Sequence, residues 1–290
     1  MLTTVMAPDA TYSVTRCTLA DMSSALDGAY VHHKNANRFA DKLDQVAHAE
    51  FCMMDYGGIR NVRDAVALMR DGWADGARQA GQLAPQLTHL VPPPKPTRRR
   101  VRWADTGSEL HIDRAMRGEW GTAWRNTTRV NGAPRVLSLA CNFGGSRHLS
   151  HAQLFWNAAQ MIVVTDMLEH AGYAVELRAV KCNQMDANKR VLLDIEVKRA
   201  DQPLRPDAVA AVFGHAGVYR SYGHTLLMCA PFAISSNLGV PINVGEQLAR
   251  AASVGLCDAP DYVIEFAYTL DAAARNITQV LTALDPAGAE

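Results

Sequence analysis

The sequence has no net formal charge, because 29 lysines and arginines are balanced by 29 aspartates and glutamates. The net charge of the whole chain therefore does not favour binding to a polyanion such as nucleic acid. Only a local patch of positive charge could do so. It also lacks a long apolar run, whereas a membrane-spanning helix needs about 20 apolar residues. The first twenty residues have no basic start followed by an apolar core. We therefore expect no membrane segment, no signal peptide and a cytoplasmic location.

Motifs for metal, phosphate and acyl-transfer chemistry are missing as well. The six cysteines are too far apart for a CxxC zinc pair, and their apolar surroundings predict buried free thiols. The ten histidines are scattered without ligand spacing. There is no Gly-x-Gly-x-x-Gly fingerprint, no P-loop and no Gly-x-Ser-x-Gly elbow. The sequence therefore identifies no catalytic residue, and it leaves open whether the protein is an enzyme.

The clearest pattern runs over residues 135–290, where short apolar runs alternate with helical periodicity. It predicts strands at 136–141, 175–180, 191–197, 225–230 and 262–267, and helices at 150–170, 206–213 and 271–284. The connection at 183–189 is short and polar, which predicts an antiparallel hairpin. The fold class is therefore an α/β domain with an open, mostly parallel sheet, one antiparallel edge strand and helices on both faces.

The preceding sequence divides into two parts. Residues 1–90 predict a mainly helical N-terminal region, with helices at 35–50, at 62–69 and from the Gly72-Trp73 turn to about Leu83. Residues 91–134 form a connector that opens with four prolines in five residues, which favours an extended spacer. Residues 135–290 are then the α/β domain.

The loop after the first strand of that domain is the first candidate site. It contains Asn142, Gly144, Gly145, Ser146 and Arg147. Ligands of open α/β sheets collect beyond the carboxyl ends of the strands, and glycines before a helix N-terminus admit anions. A nucleotide or another phosphorylated ligand could bind here, which would make the protein an enzyme. The alternative is a glycine turn that only joins strand to helix.

Residues 135–285 also resemble a von Willebrand factor A-type domain. The likeness rests on the strand at 136–140, the loop Asn142-x-Gly144-x-Ser146, the helix ending at 166–172 and the strand entry at 175–177. The family's first strand ends in Asp-x-Ser-x-Ser, whose side chains hold a divalent cation. A helix, a strand and an antiparallel edge strand then follow. The resemblance therefore implies the same succession of elements here.

The metal motif of that family is degenerate in this chain. Asn142 stands in place of the aspartate and Gly144 in place of a serine, so only Ser146 matches. Asparagine keeps an oxygen ligand but loses the charge that attracts a hard cation. The family's later threonine and aspartate ligands have no close counterpart, since Thr225 begins a strand and Asp201 is loosely placed. We therefore expect a divalent cation to bind weakly or not at all.

The whole chain also resembles uncharacterised proteins of tailed bacteriophages. Three segments carry this likeness: the Gly72-Trp73-Ala-Asp-Gly76 turn, the stretch at 107–118 and the Gly172-Tyr-x-Val-Glu-Leu strand entry. The resemblance implies a phage-encoded protein and no particular activity.

The second candidate site is a basic and aromatic tract. Between Lys95 and Arg135 there are ten basic and four acidic residues, a local net charge of +6. Arginines neutralise phosphates and indoles stack on unpaired bases. The candidate nucleic-acid contacts are Arg98, Arg99, Arg100, Arg102, Trp103, Trp120 and Trp124. The alternative is a solvated basic strand whose tryptophans pin the connector to the core.

Three hypotheses for function follow from these features. The first is a non-enzymatic binding or adaptor protein, phage-encoded, whose von Willebrand A-like domain engages another macromolecule, with a protein as the expected partner. The second is an enzyme for a nucleotide or phosphorylated ligand at the Asn142–Arg147 loop. The third is a nucleic-acid-binding protein that uses the tract from Arg98 to Arg129. No cofactor is indicated.

Overall fold

The structure is a computed structural model that describes residues 3–7, 12–19, 59, 62–91, 100–107, 109–128, 135–144, 149–184, 189–218, 240–241 and 243–284. Its strands are β1 (Thr3–Met6), β2 (Tyr12–Thr18), β3 (Arg100–Ala104), β4 (Glu109–Leu110), β5 (Trp124–Thr128), β6 (Val136–Asn142), β7 (Ala174–Gln184), β8 (Arg190–Lys198), β9 (Val240–Pro241) and β10 (Tyr262–Ile264). Its α-helices are α1 (Val62–Asp71), α2 (Ala74–Leu90), α3 (Ile112–Met116), α4 (His151–His170), α5 (Pro206–Gly214), α6 (Ala216–Val218), α7 (Val244–Ser253) and α8 (Leu270–Leu284), with a 3-10 turn at Trp120–Thr122. The predicted helix at 35–50, the predicted strand at 225–230 and the prolines at 92–96 lie outside the described residues.

The main sheet has the strand order β1-β2-β8-β7-β6-β10, and β9 pairs with the end of β7. β6 is parallel to β7 and to β10, and β2 is parallel to β8. β7 and β8 form the predicted antiparallel hairpin. β1 pairs antiparallel with β2, and β9 pairs antiparallel with β7. The α/β class and the mostly parallel sheet are therefore confirmed, with a larger antiparallel share than predicted.

The N-terminal strands are the main departure from prediction. β8 was predicted to be an antiparallel edge strand. In the structure β2 pairs with β8 along the whole length of β2, so β8 lies inside the sheet. Residues 1–90 contribute two strands as well as α1 and α2, and a mainly helical N-terminal region is not confirmed. The signal was weak because Ser13 and Thr15 are buried in β2 at positions where hydrophobic patterning expects apolar side chains.

Helices cover both faces of the main sheet. α1, α2, α4, α5 and α8 pack on one face, with a core that includes Leu139, Leu177 and Ile195. α7 packs on the other face against Val180 and Leu192. None of the described helices is long and apolar enough to cross a membrane.

Helix α4 is the central element of the first face and begins where it was predicted to begin. Ser150 is its N-cap, and it forms a capping box with Gln153. Nearly every side chain from Leu154 to Leu168 is buried or half-buried, because the helix lies between the sheet and α2, α5 and α8. Its apolar character therefore extends around most of its circumference.

The Gly72-Trp73 turn joins α1 to α2 and docks on α5. Gly72 adopts φ +90°, and a Cβ at this position would overlap the side chain of Asp207. The backbone N–H of Trp73 donates to the backbone carbonyl of Asp207 at 3.0 Å. The Trp73 indole stacks on the ring of Phe155. The helix that follows continues to Leu90, beyond the predicted end at Leu83, because Leu87 is buried in the core.

The predicted connector contains a second, three-stranded antiparallel sheet of order β3-β5-β4. Trp103 lies opposite Arg125 and Arg100 opposite Thr128 in the β3–β5 pair. α3 and the 3-10 turn connect β4 to β5; the turn packs on β3 and β5, and α3 packs on the turn. The segment is therefore a small folded unit where the sequence indicated only a spacer and a basic strand.

Candidate functional site

The first candidate site lies at the carboxyl ends of β6 and β7. β6 ends at Asn142, which pairs with Val180 of β7, while β7 runs on to Gln184. β9 then pairs with the last two residues of β7. The partner of β7 on this side therefore changes from β6 to β9 around Lys181. This is the edge of a parallel sheet at which ligands of α/β proteins collect.

Two of the five predicted loop residues are described. The side-chain oxygen of Asn142 accepts a hydrogen bond from the N–H of Gly144 at 3.1 Å. Both residues are half-buried. Gly145, Ser146 and Arg147 lie outside the described residues, and ligand binding by this loop stays a prediction. Asn142 here stabilises the turn that leaves β6.

Lys181 is the residue of this edge that the sequence analysis missed. Its side chain is 2% exposed, and its Nζ lies 3.4 Å from the carbonyl oxygen of Gly144. Burial lowers the pKa of Lys181 to about 8, and the nearby Cys182 opposes this shift. The sequence contained a signal in the alternation of side chains along β7. Leu177, Ala179 and Lys181 share one face of the strand, and that face is covered by α1, α2, α4, α5 and α8.

Gly144 and Lys181 fit together sterically. A Cβ on residue 144 would overlap the end of the Lys181 side chain, closer than any real contact. A side chain at position 144 would therefore require the end of the Lys181 side chain to move.

The first turn of α4 is not an open anion site by itself. The backbone N–H of Gln153 is bonded to the Ser150 hydroxyl at 3.4 Å, and the Ser150 N–H donates to the Gln153 side chain at 2.9 Å. The capping box thus satisfies two of the donors that a helix N-terminus would offer to a ligand.

A buried amide holds the strand ends in place. The side-chain N–H of Asn157 donates to the carbonyls of Phe213 at 3.3 Å and Asn142 at 3.4 Å. Its oxygen accepts from the backbone N–H of Ala267 at 3.2 Å and from Gln160 at 2.7 Å. One side chain of α4 therefore joins the ends of β6 and α5 to the segment after β10. Its role is structural, since its polar atoms are satisfied by the protein.

The cysteines at this edge are poor nucleophiles. Cys17, Cys141, Cys182 and Cys257 are free and buried, as predicted. Burial raises the pKa of Cys182 to about 12 and raises that of Cys141 well above its usual value. Thiol chemistry depends on the thiolate, so neither is suited to attack a substrate.

Within the described ranges, no group of three or more histidine, cysteine, aspartate or glutamate side chains is placed to hold a metal ion. Asp201 follows β8, whose end lies at the edge of the sheet opposite Asn142, and it pairs with Arg199 at 3.4 Å. It therefore does not belong to the Asn142 edge. Thr225 lies outside the described residues.

The tryptophans of the second candidate site differ in accessibility. Trp103 is half-buried, with the Arg114 guanidinium 4.2 Å from its ring centroid and the His111 ring against its edge. Trp124 is half-buried, and Trp120 is 60% exposed. Arg100 and Arg102 lie in β3, whereas Arg98 and Arg99 lie outside the described residues. Of the three indoles, Trp120 is therefore the one presented to a partner.

The same unit exposes other large apolar side chains. Leu110, Ile112, Met116 and Trp120 are 39%, 65%, 83% and 60% exposed, and we call these four residues the 110–120 surface. Ile112 and Met116 are four residues apart on α3 and so share one side of it. The sequence analysis counted the tryptophans here but did not identify the aliphatic positions beside them.

Charged side chains border the 110–120 surface. Arg117 lies 3.5 Å and Arg114 lies 4.0 Å from the carboxylate of Glu119. Ion pairs this exposed contribute little to stability. Charged and apolar side chains therefore occur together in this stretch, as they do in protein interfaces.

Comparison with known proteins gives one match. A family model described as a domain of unknown function, DUF7192, matches residues 17–287. No curated protein and no solved structure matches the chain. The match spans both the β3–β5 unit and the α/β sheet, so both candidate sites lie within a single family domain.

Proposed function

The chain belongs to the DUF7192 family, and we propose that it is a non-enzymatic binding protein that docks another protein on its 110–120 surface. The observation that carries this proposal is the concentration of four large, exposed apolar side chains within eleven residues. Ile112 and Met116 share one side of α3, and exposed apolar side chains that gather into a patch are characteristic of interaction sites.

The residue types support a protein partner. Methionine, tryptophan and arginine are enriched at protein interfaces, and tryptophan and arginine dominate their binding energy. Met116 and Trp120 supply two anchors, and Arg114 and Arg117 lie beside them. A helix face with apolar residues at i and i+4 suits a shallow apolar groove on the partner.

The charge of the surrounding tract favours a partner with an acidic border. The net charge of +6 between Lys95 and Arg135 lies in the segment that carries the 110–120 surface. Complementary charge at the border of an interface raises the association rate more than it raises affinity. We therefore infer a partner protein with an apolar groove flanked by aspartates and glutamates.

Nucleic acid is the second candidate for this surface, and the exposure of the tryptophans argues against it. Stacking on unpaired bases needs open indole faces. Trp103 is instead covered by Arg114, and Trp124 is half-buried. One exposed indole provides a single stacking position, whereas four exposed apolar side chains suit a protein interface better.

We also propose that the α/β part has the specific fold of a von Willebrand A-type domain. The succession β6, α4, β7 and an antiparallel β8 is what that resemblance implies, and it supports the proposal. The added strands β2 and β1 beyond β8 are a departure from it. On this proposal the domain is the scaffold, and the β3–β5 unit carries the docking surface.

A crosslinking experiment tests the docking proposal. A photoreactive phenylalanine analogue replaces Met116 or Trp120 in the full chain in its native host, and matched controls replace the exposed Tyr268 or Val254. We expect a protein adduct from the first pair alone, with the partner identified by mass spectrometry.

Affinity measurements with that purified partner complete the test. We expect Trp120→Ala and Met116→Ala each to weaken binding at least tenfold, or more than about 1.4 kcal/mol, while Tyr268→Ala has no effect. Folding should be preserved, because these side chains are exposed. Adducts with RNA or DNA in place of protein would establish the nucleic-acid alternative, and equal adducts at all four positions would refute both.

A further inference from the structure

We propose that Met116 is a site of reversible oxidation by peroxides, and that its sulfoxide form no longer docks the partner protein. This inference rests on the proposed function, because it gives the 110–120 surface a chemical control. Three observations support it: the exposure of the Met116 side chain, the burial of other methionines, and the apolar side chains that surround Met116 on the docking surface.

The accessibility of the Met116 thioether is the first observation. Met116 is 83% exposed and is the last residue of the five-residue helix α3. The preceding residue, Ala115, is buried, so α3 packs on the unit through Ala115 and presents Met116 to solvent. A peroxide therefore reaches the Met116 sulfur without any opening of the fold.

The protection of other methionines is the second observation. Of the four further methionines in the described ranges, Met69 and Met161 are fully buried in the core on the helical face of the sheet, and Met167 is half-buried. Met6 in β1 is 41% exposed. Because a sulfur must be accessible to react, Met116 oxidises before these four, and the core keeps its packing while it does so.

Oxidation changes the polarity of the docking surface. The thioether sulfur attacks one oxygen of hydrogen peroxide, a sulfur–oxygen bond forms as the oxygen–oxygen bond breaks, and the other oxygen leaves as water. The sulfur loses two electrons and the peroxide gains them. The product is a polar, chiral sulfoxide in place of a flexible apolar group, and methionine sulfoxide reductases reverse the change with a dithiol, which becomes a disulfide as water is released.

The apolar surroundings of Met116 are the third observation. Ile112 lies one turn away on the same side of α3, and Trp120 is 60% exposed four residues further along the chain. A partner that covers these side chains would enclose the sulfoxide oxygen in an apolar environment. Burying a polar group without a hydrogen bond is unfavourable. Oxidation of Met116 therefore releases the partner although Ile112 and Trp120 are unchanged.

The first experiment needs no partner. The full chain is treated with dilute hydrogen peroxide, and sulfoxide at each methionine is followed by peptide mass spectrometry. We expect Met116 to oxidise at least about tenfold faster than Met69 and Met161, with the circular dichroism spectrum unchanged when Met116 is fully converted. Oxidation of Met116 no faster than that of either buried methionine would overturn the proposal.

The second experiment uses the photoreactive analogue at position 120 as the probe of docking. The chain is oxidised until Met116 is converted, freed of peroxide, and crosslinked in an extract of its native host without added thiol. We expect the yield of protein adduct to fall at least about fivefold, and to recover after treatment with methionine sulfoxide reductases. Met116→Leu has no thioether, so its adduct yield, whatever its starting value, should not respond to peroxide. Met6→Leu should respond as the wild type does.

The outcomes separate this proposal from the docking proposal. Without an adduct from the untreated chain, docking and its control by Met116 would both be refuted, whereas the order of oxidation is judged by the first experiment alone. An adduct that survives oxidation, an equal loss in Met116→Leu, or a loss that the reductases do not reverse would overturn the control by Met116 and leave docking intact.

Discussion

Lys181 and Lys198 are buried to a similar degree, at opposite edges of the same sheet, in different environments. The Lys198 amine donates to the carbonyls of Val175 at 2.7 Å and Arg199 at 3.1 Å, and it pairs with Glu169 at 2.7 Å. Lys181 lies over Gly144 where β6 ends, and burial lowers its pKa. Lys198 is thus a structural ion that ties α4 to β7, whereas Lys181 lies over the turn that leaves β6 and carries a charge that burial disfavours. The two lysines therefore differ in their surroundings although they are buried to a similar degree.

The largest expected effect is the loss of stability on replacing Lys198. Lys198→Met removes the ion pair and two hydrogen bonds and leaves the Glu169 carboxylate and the Val175 carbonyl without them. Removing one partner of a buried pair costs about 3–5 kcal/mol. Urea unfolding should show this loss, and Lys181→Met should lose less, because burial disfavours the charged form of Lys181 that the substitution removes. Equal losses in the two variants would remove the distinction between the two lysines.

The second effect is a difference in pH dependence. The pKa of Lys181 is about 8 in the folded chain and about 10.5 in the unfolded chain. The buried charge therefore destabilises the fold fully below pH 8, and the penalty is relieved as the pH rises from 8 to 10.5. The unfolded state binds the additional proton in that window. The stability of the wild type relative to Lys181→Met should thus rise across it by up to about 3 kcal/mol.

Urea unfolding of both proteins at pH 7, 8, 9 and 10 measures this difference. The raised pKa of Cys182 works in the opposite direction, because its thiol ionises in the unfolded chain first. Both proteins contain Cys182, so its contribution cancels in the difference except for its interaction with Lys181. A flat difference would mean that burial does not lower the pKa of Lys181.

A smaller effect concerns the glycine beneath Lys181. Gly144→Ala must displace a buried lysine, and we expect it to cost about 2 kcal/mol, as overpacking in a core does. In a Lys181→Ala background the same change should cost at least about 1 kcal/mol less, because the two residues are in contact. Gly81→Ala is the matched control: nothing lies near its Cβ in α2, so it should stabilise by about 0.5–1 kcal/mol. Equal costs in both backgrounds would show that Gly144 is required by the turn and not by the lysine.

The sequence predicted those parts of the fold whose pattern is local. The start of α4 at Ser150, the β7–β8 hairpin and the strand β6 follow from composition and spacing that neighbouring residues determine. β2 was missed because its partner β8 lies far along the chain and its core positions include a serine and a threonine. Long-range strand pairing is not encoded in any single window of sequence.

The sites were harder to predict than the fold. Asn142 and Gly144 were identified because a strand that ends before a glycine is visible in the sequence. Lys181 was not identified, because the strand was predicted to end at residue 180 and β7 continues to Gln184; a lysine beyond a strand is normally expected to face solvent. The alternation of side chains along β7 places Lys181 on the same face as the buried Leu177 and Ala179. That this face is buried beneath helices is known only from the structure. For the 110–120 surface, the tryptophans were visible in the sequence, whereas the exposure of Ile112 and Met116 required the structure.

The smallest expected effect is the response to divalent cations, and it distinguishes a cationic edge from a metal site. We expect magnesium or manganese to bind more weakly than about 10 μM, roughly −7 kcal/mol, in calorimetry. Asn142 offers one neutral oxygen, which already accepts from Gly144, and the Lys181 ammonium at the same edge repels a cation. Asn142→Asp restores the aspartate of the von Willebrand A motif, but one carboxylate does not make a site of six or more oxygens. We therefore expect it to tighten binding by no more than about tenfold, or about 1.4 kcal/mol. A wild-type dissociation constant below 10 μM would mean that the edge binds cations in spite of the Lys181 ammonium, and the expectation drawn from the degenerate motif would be wrong.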